Sequence, residues 1–296
     1  MLTTYNKVSD ETNFFGNTTP VELIKEYGSP LYVYNENVMR ERCRELKNLI
    51  TYPNFSVNYS VKANGNLTLL QIAREEGLNA DAMSPGEIFV ELKAGFKPEQ
   101  ILYISNNVSK EEMQFAVDRN ILVSVDSVSQ LESYGQINEG GRVCIRFNSG
   151  VGAGHHEKVI TGGKKTKFGV DPNFIPEVKE IISKYKLNLV GINQHIGSLF
   201  MEGDKYVEGV KSVLDIAEKF DNLEFVDLGG GFGIPYQKLA GQKRLDLQDL
   251  GKKLDKVFFD FADKYGKQIT FKVEPGRYIA AECGNLLGTV YSIKNN

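Results

Sequence analysis

The hydrophobic pattern of this chain switches repeatedly between a period of two residues and one of 3.6, and few folds accommodate that alternation over most of 296 residues. Strand-like runs fall near 55–61, 78–83, 101–105, 121–126, 142–147, 188–195, 224–229 and 269–274. Between them lie helical patterns near 66–77, 85–95, 109–119, 127–136, 173–186, 204–220 and 246–265, several opened by Ser, Asp or Pro as caps, and a helical run over 36–50 precedes the first of these strands. Eight strands alternating with helices across short turns predict an α/β protein built as a parallel (β/α)8 TIM-type barrel, which takes about 250 residues; a doubly wound open sheet is the alternative. The extended segment 31–34 and an alternating run over 284–293 have no place in such a barrel. Residues 1–35 and 280–296 are therefore expected to be fragments of a second, β-rich domain flanking a barrel over 36–279, in a chain cut short.

Composition narrows the function. A net charge of -3 and a pI near 5.8, with lysines scattered among acids, give no field for nucleic acid. The N-terminus lacks an apolar signal core and no segment approaches the roughly 18 apolar residues that span a bilayer, which suits a cytoplasmic protein with no membrane partner. Cys43, Cys144 and Cys283 are an odd, widely spaced set that reads as reduced thiols. The only histidines, His155, His156 and His195, are too few for a histidine-rich metal centre, and no metal is expected; the adjacent pair reads as polar surface.

In a barrel, functional side chains gather where strands end. Lys62, Asp81, Asn106, Asp126, Arg146, His195, the glycines from Gly229 and Glu274 with Arg277 all fall at or just past a strand end. A lysine closing an apolar strand either snorkels to the rim or does covalent chemistry. The run Gly229-Gly230-Gly231-Phe-Gly233 lets backbone amides approach an oxyanion, yet its spacing is not the dinucleotide fingerprint, because Ile234 stands where a third glycine belongs. With Gly276-Arg277 it follows the last two strands, where barrels commonly bind phosphate; a plain tight turn is the structural alternative. A buried Glu274 needs a cationic partner, either a protonated ring nitrogen or a neighbouring Lys or Arg. His195 can stack on a flat molecule or pack as a hydrogen-bonded core histidine. Jointly, a lysine amine, a phosphate cradle, an acid suited to a pyridine nitrogen and a stackable imidazole describe a site for pyridoxal 5'-phosphate.

These features resemble the barrel-type (fold type III) pyridoxal-phosphate decarboxylases, most of all their diaminopimelate branch. The likeness rests on Gly28-Ser-Pro-Leu-Tyr-Val-Tyr34, Tyr59-Ser-Val-Lys-Ala-Asn64, Asp81-Ala-Met-Ser-Pro-Gly-Glu87, Lys167-Phe-Gly169, His195-Ile-Gly-Ser198, Gly229-Gly-Gly231 and Glu274-Pro-Gly-Arg277, in the family's order. The resemblance implies that Lys62 holds the cofactor covalently, that His195 stacks on its ring and that Glu274 pairs with its nitrogen. Ser198, Gly231, Gly276 and Arg277 would surround the phosphate, with Gly229 and Gly230 in the same cradle and Arg277 also reaching a substrate carboxylate. Asp81, Glu87 and Arg146 would orient Lys62 and His195, with ordinary rim ion pairs as their alternative role. It further implies decarboxylation of meso-diaminopimelate to L-lysine, a homodimer with shared sites, and a longer chain whose later part completes the site. The loop over 150–163 differs from the form typical of that branch, which leaves room for another amino acid or a carrier-bound substrate. An amino-acid racemase, a non-catalytic cofactor carrier and a phosphosugar enzyme are the rival readings; the first is disfavoured by Glu274 and the last leaves Lys62 unexplained.

Overall fold

All eight alternating runs expected to be barrel strands are strands in the computed structural model, which describes residues 13–104, 106–152 and 166–295. In chain order the elements are α1 (Pro20–Tyr27), β1 (Leu31–Tyr34), α2 (Glu36–Lys47), β2 (Phe55–Ser60), α3 (Leu67–Glu75), β3 (Asn79–Ala82), α4 (Pro85–Ala94), β4 (Ile101–Ile104), α5 (Lys110–Val117) and β5 (Leu122–Val125). They continue as α6 (Val128–Ile137), β6 (Arg142–Arg146), α7 (Ile175–Lys184), β7 (Asn188–Asn193), α8 (Asp204–Ala217), β8 (Phe225–Asp227), α9 (Leu247–Tyr265), β9 (Thr270–Val273), α10 (Arg277–Ala280) and β10 (Gly284–Leu287). Strands β2 to β9 form a closed barrel of parallel neighbours, so the open-sheet alternative is set aside. Closure comes from β2 against β9, with Phe55 opposite Phe271 and Val57 opposite Val273.

Caps and periodicity explain why the helices start where they do. Ser84, Ser109, Ser127 and Asp246 each accept a backbone N–H from the first turn of α4, α5, α6 and α9, satisfying donors that have no partner inside the helix. The 3.6-residue stripe of α9 buries Leu250, Leu254, Phe258 and Phe261. Phe258 stacks on Phe271 of β9 with ring centroids 3.9 Å apart, and Tyr52 meets Phe271 edge-on at 5.1 Å. Phe271 therefore points outward into the helix layer, and truncating so buried an aromatic costs about 3–5 kcal/mol. The other face of the strands fills the barrel with a smaller cluster, Leu102, Ile104, Cys144, Val190 and Phe225.

Strand β1 pairs antiparallel with β10, Leu31 opposite Leu287 and Tyr34 opposite Gly284, so the two segments without a place in the barrel are partners of each other. All three cysteines are buried free thiols, and burial pushes Cys43 up to about 12 and Cys283 up to about 11, which keeps both as packing groups. Among the described residues no helix is long and apolar enough to cross a membrane, and no group of three or more His, Cys, Asp and Glu could hold a metal ion. His155, His156 and most of the 150–163 loop lie outside the described residues.

Candidate active site

The strand ends converge on two adjoining cavities of about 270 and 360 Å³, both bordered by Lys62, His195, Ser198 and Glu274. Asp81, Asn106, Arg146 and Phe168 complete the first, and Ser60, Gly231, Gly276 and Arg277 the second. A larger cavity of about 610 Å³ opens among strand starts at the opposite end of the barrel, lined by Asn79, Gln100, Asn120, Arg142 and Lys272. The groups suited to covalent and acid–base chemistry gather at the two smaller ones, at the end where barrels build their sites.

Lys62 reaches the cavities because β2 ends at Ser60 and a single 3-10 turn, Val61–Ala63, lifts it onto the rim. The Ser60 amide donates to the Pro275 carbonyl at 3.3 Å, tying that turn to the segment holding Glu274 and Arg277. On the neighbouring strand, Asp81 accepts from Ser60 Oγ at 3.1 Å. Burial pushes its carboxyl up to about 7 against the opposing pull of the Lys62 ammonium and the Ser60 hydroxyl.

His195 lies just past β7. The Gly230 N–H donates to its Nδ1 at 3.2 Å, which leaves the ring proton to Nε2. Burial, with the Lys62 and Arg146 cations adding, holds the imidazole well below its usual value, so a flat neutral ring faces the cavity. Arg146 is buried, pairs with Asp126 at 3.7 Å and lies over the Phe168 ring at 4.9 Å. Asp126 also accepts the Gly169 N–H at 2.9 Å, which brings the Lys167-Phe-Gly169 segment to this wall. Arg277 donates to Tyr236 Oη at 2.5 Å and, at a long 3.5 Å, to Ser198 Oγ; its buried Nε has no partner among the described residues.

Three expected residues stand back from the cavities. Glu87 does not border either cavity: its carboxylate accepts the Met83 N–H at 2.6 Å while its own amide donates to Ser84 Oγ at 3.2 Å, so it closes the start of α4. Gly229 and Gly230 point their amides into the protein, to Asp227 Oδ1 at 3.0 Å and to His195, and of the glycine run only Gly231 borders the cavity. Gly230 also permits a close approach, since a Cβ there would sit 2.0 Å from the Glu274 carbonyl oxygen.

Sequence reasoning missed one neighbour of Glu274. Among the described residues no Lys or Arg forms a salt bridge with it, and the buried carboxyl of Asp227 stands beside it. Desolvation, with the neighbouring Asp227 and Asp81 charges adding, drives Glu274 well above the usual range. Burial raises Asp227 too, against the opposing pull of the Gly229 amide and the Lys272 ammonium. The available signal was strand register: Asp227 on β8 lies opposite Lys272 on β9, and the alternation that turns Lys272 into the barrel turns Glu274 inward too.

The donor set suits a flat ring with a basic nitrogen and a phosphate. Glu274 supplies an acid at the floor, His195 a neutral stacking surface, and Arg277 with an unused N–H, Ser198, Gly231 and Gly276 a concave anion seat. Lys62 supplies an amine within the same walls.

Comparison with known proteins agrees with this chemistry. Residues 36–281 match the family described as pyridoxal-dependent decarboxylase, pyridoxal binding domain. A diaminopimelate decarboxylase of Methanothermobacter thermautotrophicus is 42% identical over 290 residues, taking in 95% of this chain and 67% of that protein. The Escherichia coli K12 diaminopimelate decarboxylase is 31% identical over 282 residues, 93% of this chain and 64% of that one. The chain thus spans about two thirds of the length of these curated relatives. Among solved structures, diaminopimelate decarboxylase from Helicobacter pylori complexed with L-lysine superimposes with a TM-score of 0.83 at 29% identity, covering 90% of this chain and 68% of that one.

Proposed function

The chain belongs to the pyridoxal-dependent decarboxylases, and from that premise we propose that it forms the cofactor-binding barrel of an enzyme converting meso-diaminopimelate to L-lysine and carbon dioxide. The observation that carries the reading is the convergence of Lys62, His195, Glu274 and Arg277, from the ends of three strands, β2, β7 and β9, on two cavities that share a wall. Pyridoxal phosphate, when bound, supplies an electron sink for the charge left at the substrate α-carbon as the carboxylate departs. Lys62 provides the amine that anchors it. His195 presents a neutral face, which lies against a cationic ring without charge repulsion. Glu274 holds a proton at the position of the ring nitrogen, and that proton deepens the sink. Ser198, Gly231, Gly276 and Arg277 seat the phosphate, Asp81 faces the Lys62 amine, and Arg277 is the cation available to a substrate carboxylate.

The names of the relatives support diaminopimelate as substrate. In this reading the protein acts in the cytoplasm as a homodimer, and the β1–β10 ribbon belongs to a β-rich domain beside the 36–279 barrel. The test is spectroscopic first. The chain with pyridoxal phosphate should absorb as an imine and take up a borohydride-trapped label, and Lys62→Ala should lose both. A label retained in Lys62→Ala overturns the cofactor assignment. A full-length form that turned over ornithine, arginine or a D-amino acid faster than meso-diaminopimelate would overturn the substrate and leave the cofactor chemistry standing.

A further inference from the structure

Adjacent strands β8 and β9 turn three ionisable side chains into the barrel: Asp227, its register neighbour Lys272, and Glu274. Asp227 and Glu274 are 0% and 5% exposed, and water does not dilute their interaction. Among the described residues Asp227 Oδ2 and Glu274 Oε1 are both buried and meet no donor group, yet the two carboxyls lie within hydrogen-bonding reach. Two acceptors in contact are satisfied together only by a proton between them. One Asp227 oxygen already accepts from the Gly229 amide, so Asp227 is suited to be the ionised member and Glu274 the acid. Lys272 lies over the Phe225 ring at 4.0 Å and forms no salt bridge among the described residues; the charge that acts on it most is Asp227, so its ammonium is the internal counter-charge of that carboxylate. The other titratable groups that act on the pair are Asp81 on β3, Lys62 after β2, Arg146 and Cys144 on β6, and Tyr206 on α8.

We propose that Asp227 and Glu274 share one proton as a carboxyl–carboxylate pair, and that this pair stores the proton later placed on the cofactor's ring nitrogen, so that Asp227 is a positioning residue for Glu274. The proposal rests on the reading of the cavity as a pyridoxal phosphate site. The transfer balances: the O–H bond of Glu274 breaks, an N–H bond forms on the ring, and no proton is drawn from solvent. Two carboxylates, Asp227 and Glu274, then face two cations, the ring and Lys272. A lone Glu274 in this interior would have to be neutralised from solvent at each loading; the pair keeps the acid form in place beforehand.

Difference infrared spectroscopy at pH 8 tests this. The cofactor-free chain should show a carboxylic-acid C=O band that is absent in Glu274→Gln and disappears on loading with pyridoxal phosphate; the buried acid Glu91 contributes a background that loading does not change. In Asp227→Asn the amide donates to Glu274 and leaves it ionised, so the band should be missing in the cofactor-free state. Its proton for the ring must then come from solvent, and the ratio of its Kd for pyridoxal phosphate to that of the wild type should rise about tenfold per pH unit on the alkaline side. Lys272→Met, which removes the counter-charge, should move the loss of the wild-type band to higher pH, and it decides the matter if Asp227→Asn does not fold. No Glu274-dependent band at pH 8, an undiminished band in Asp227→Asn, or an unmoved band in Lys272→Met overturns the proposal. The cofactor-free comparison involves the protein alone, so it stands or falls independently of Lys62→Ala and the cofactor assignment.

Discussion

Glu91 gives the sharpest stability test. It sits on the inner face of α4 with Ile88 and Ala94, is 0% exposed, and neither carboxyl oxygen has a hydrogen-bond partner among the described residues. Desolvation, with Asp81 and Glu87 adding, pushes its carboxyl from 4.5 up to about 9. The folded chain keeps this acid protonated while the unfolded chain ionises it above 4.5, so folding takes up a proton and stability falls as pH rises from 4.5 toward 9. At about 1.4 kcal/mol per pH unit, going from pH 5 to pH 8 costs about 4 kcal/mol at most, and about 2–4 kcal/mol once relaxation around the site is allowed for. Glu91→Met keeps the side chain's length and removes the ionisation. It should match the wild type within about 1 kcal/mol at pH 5 and exceed it by about 2–4 kcal/mol at pH 8, roughly 5–10 °C in Tm. Urea unfolding of both cofactor-free proteins at the two pH values measures this, and the shared titration of all other groups cancels between them. A Met-minus-Glu difference that is the same at pH 5 and pH 8 would refute the claim that Glu91 is held neutral.

Other expectations concern the site and its frame. Arg277→Lys keeps the charge but loses the planar fork that meets Tyr236 and Ser198, so fluorescence titration should show pyridoxal phosphate affinity weakened about 10–100-fold; unchanged affinity would remove Arg277 from the anion seat. Gly230→Ala drives a methyl into the Glu274 carbonyl and should lower stability by about 1–3 kcal/mol in urea while disturbing cofactor binding; wild-type values for both would contradict the close approach. The Asp255 carboxylate of α9 accepts from the Thr51 amide at 2.7 Å, the Thr51 hydroxyl at 2.9 Å and the Tyr52 amide at 3.0 Å. Asp255→Ala should therefore cost about 1–3 kcal/mol in the same assay with no change in cofactor affinity.

The barrel was legible because alternating strands and amphipathic helices carry different periods, and the end of each strand then marked Lys62, Asp81, Arg146, His195 and Glu274 as neighbours in space. Pairings between distant segments were not legible: nothing in 31–34 announces 284–287 as its partner. The Glu274 environment was legible only in part. The sequence suggested a cation for it, a ring nitrogen or a neighbouring Lys or Arg, but gave no sign of the second acid that the low-dielectric interior sets beside it, with Lys272 acting on Asp227. The capping bonds of Glu87 were legible as well, since Ser84-Pro-Gly-Glu87 has the spacing of a helix-capping pair. Glu91 could have been flagged by its place on the stripe with Ile88 and Ala94, though the stripe alone does not reveal its protonation state.

The meeting of β2 with β9 bears on how the protein is made. Phe55 emerges from the ribosome early, but its neighbour Phe271 follows only after some two hundred further residues have been synthesised. Through that interval the growing sheet has two raw borders, one waiting at β2 and one advancing with each new strand, both able to pair with another nascent chain. Joining β2 to β9 removes both borders in one step, so the last strand to be made is the one that seals the sheet.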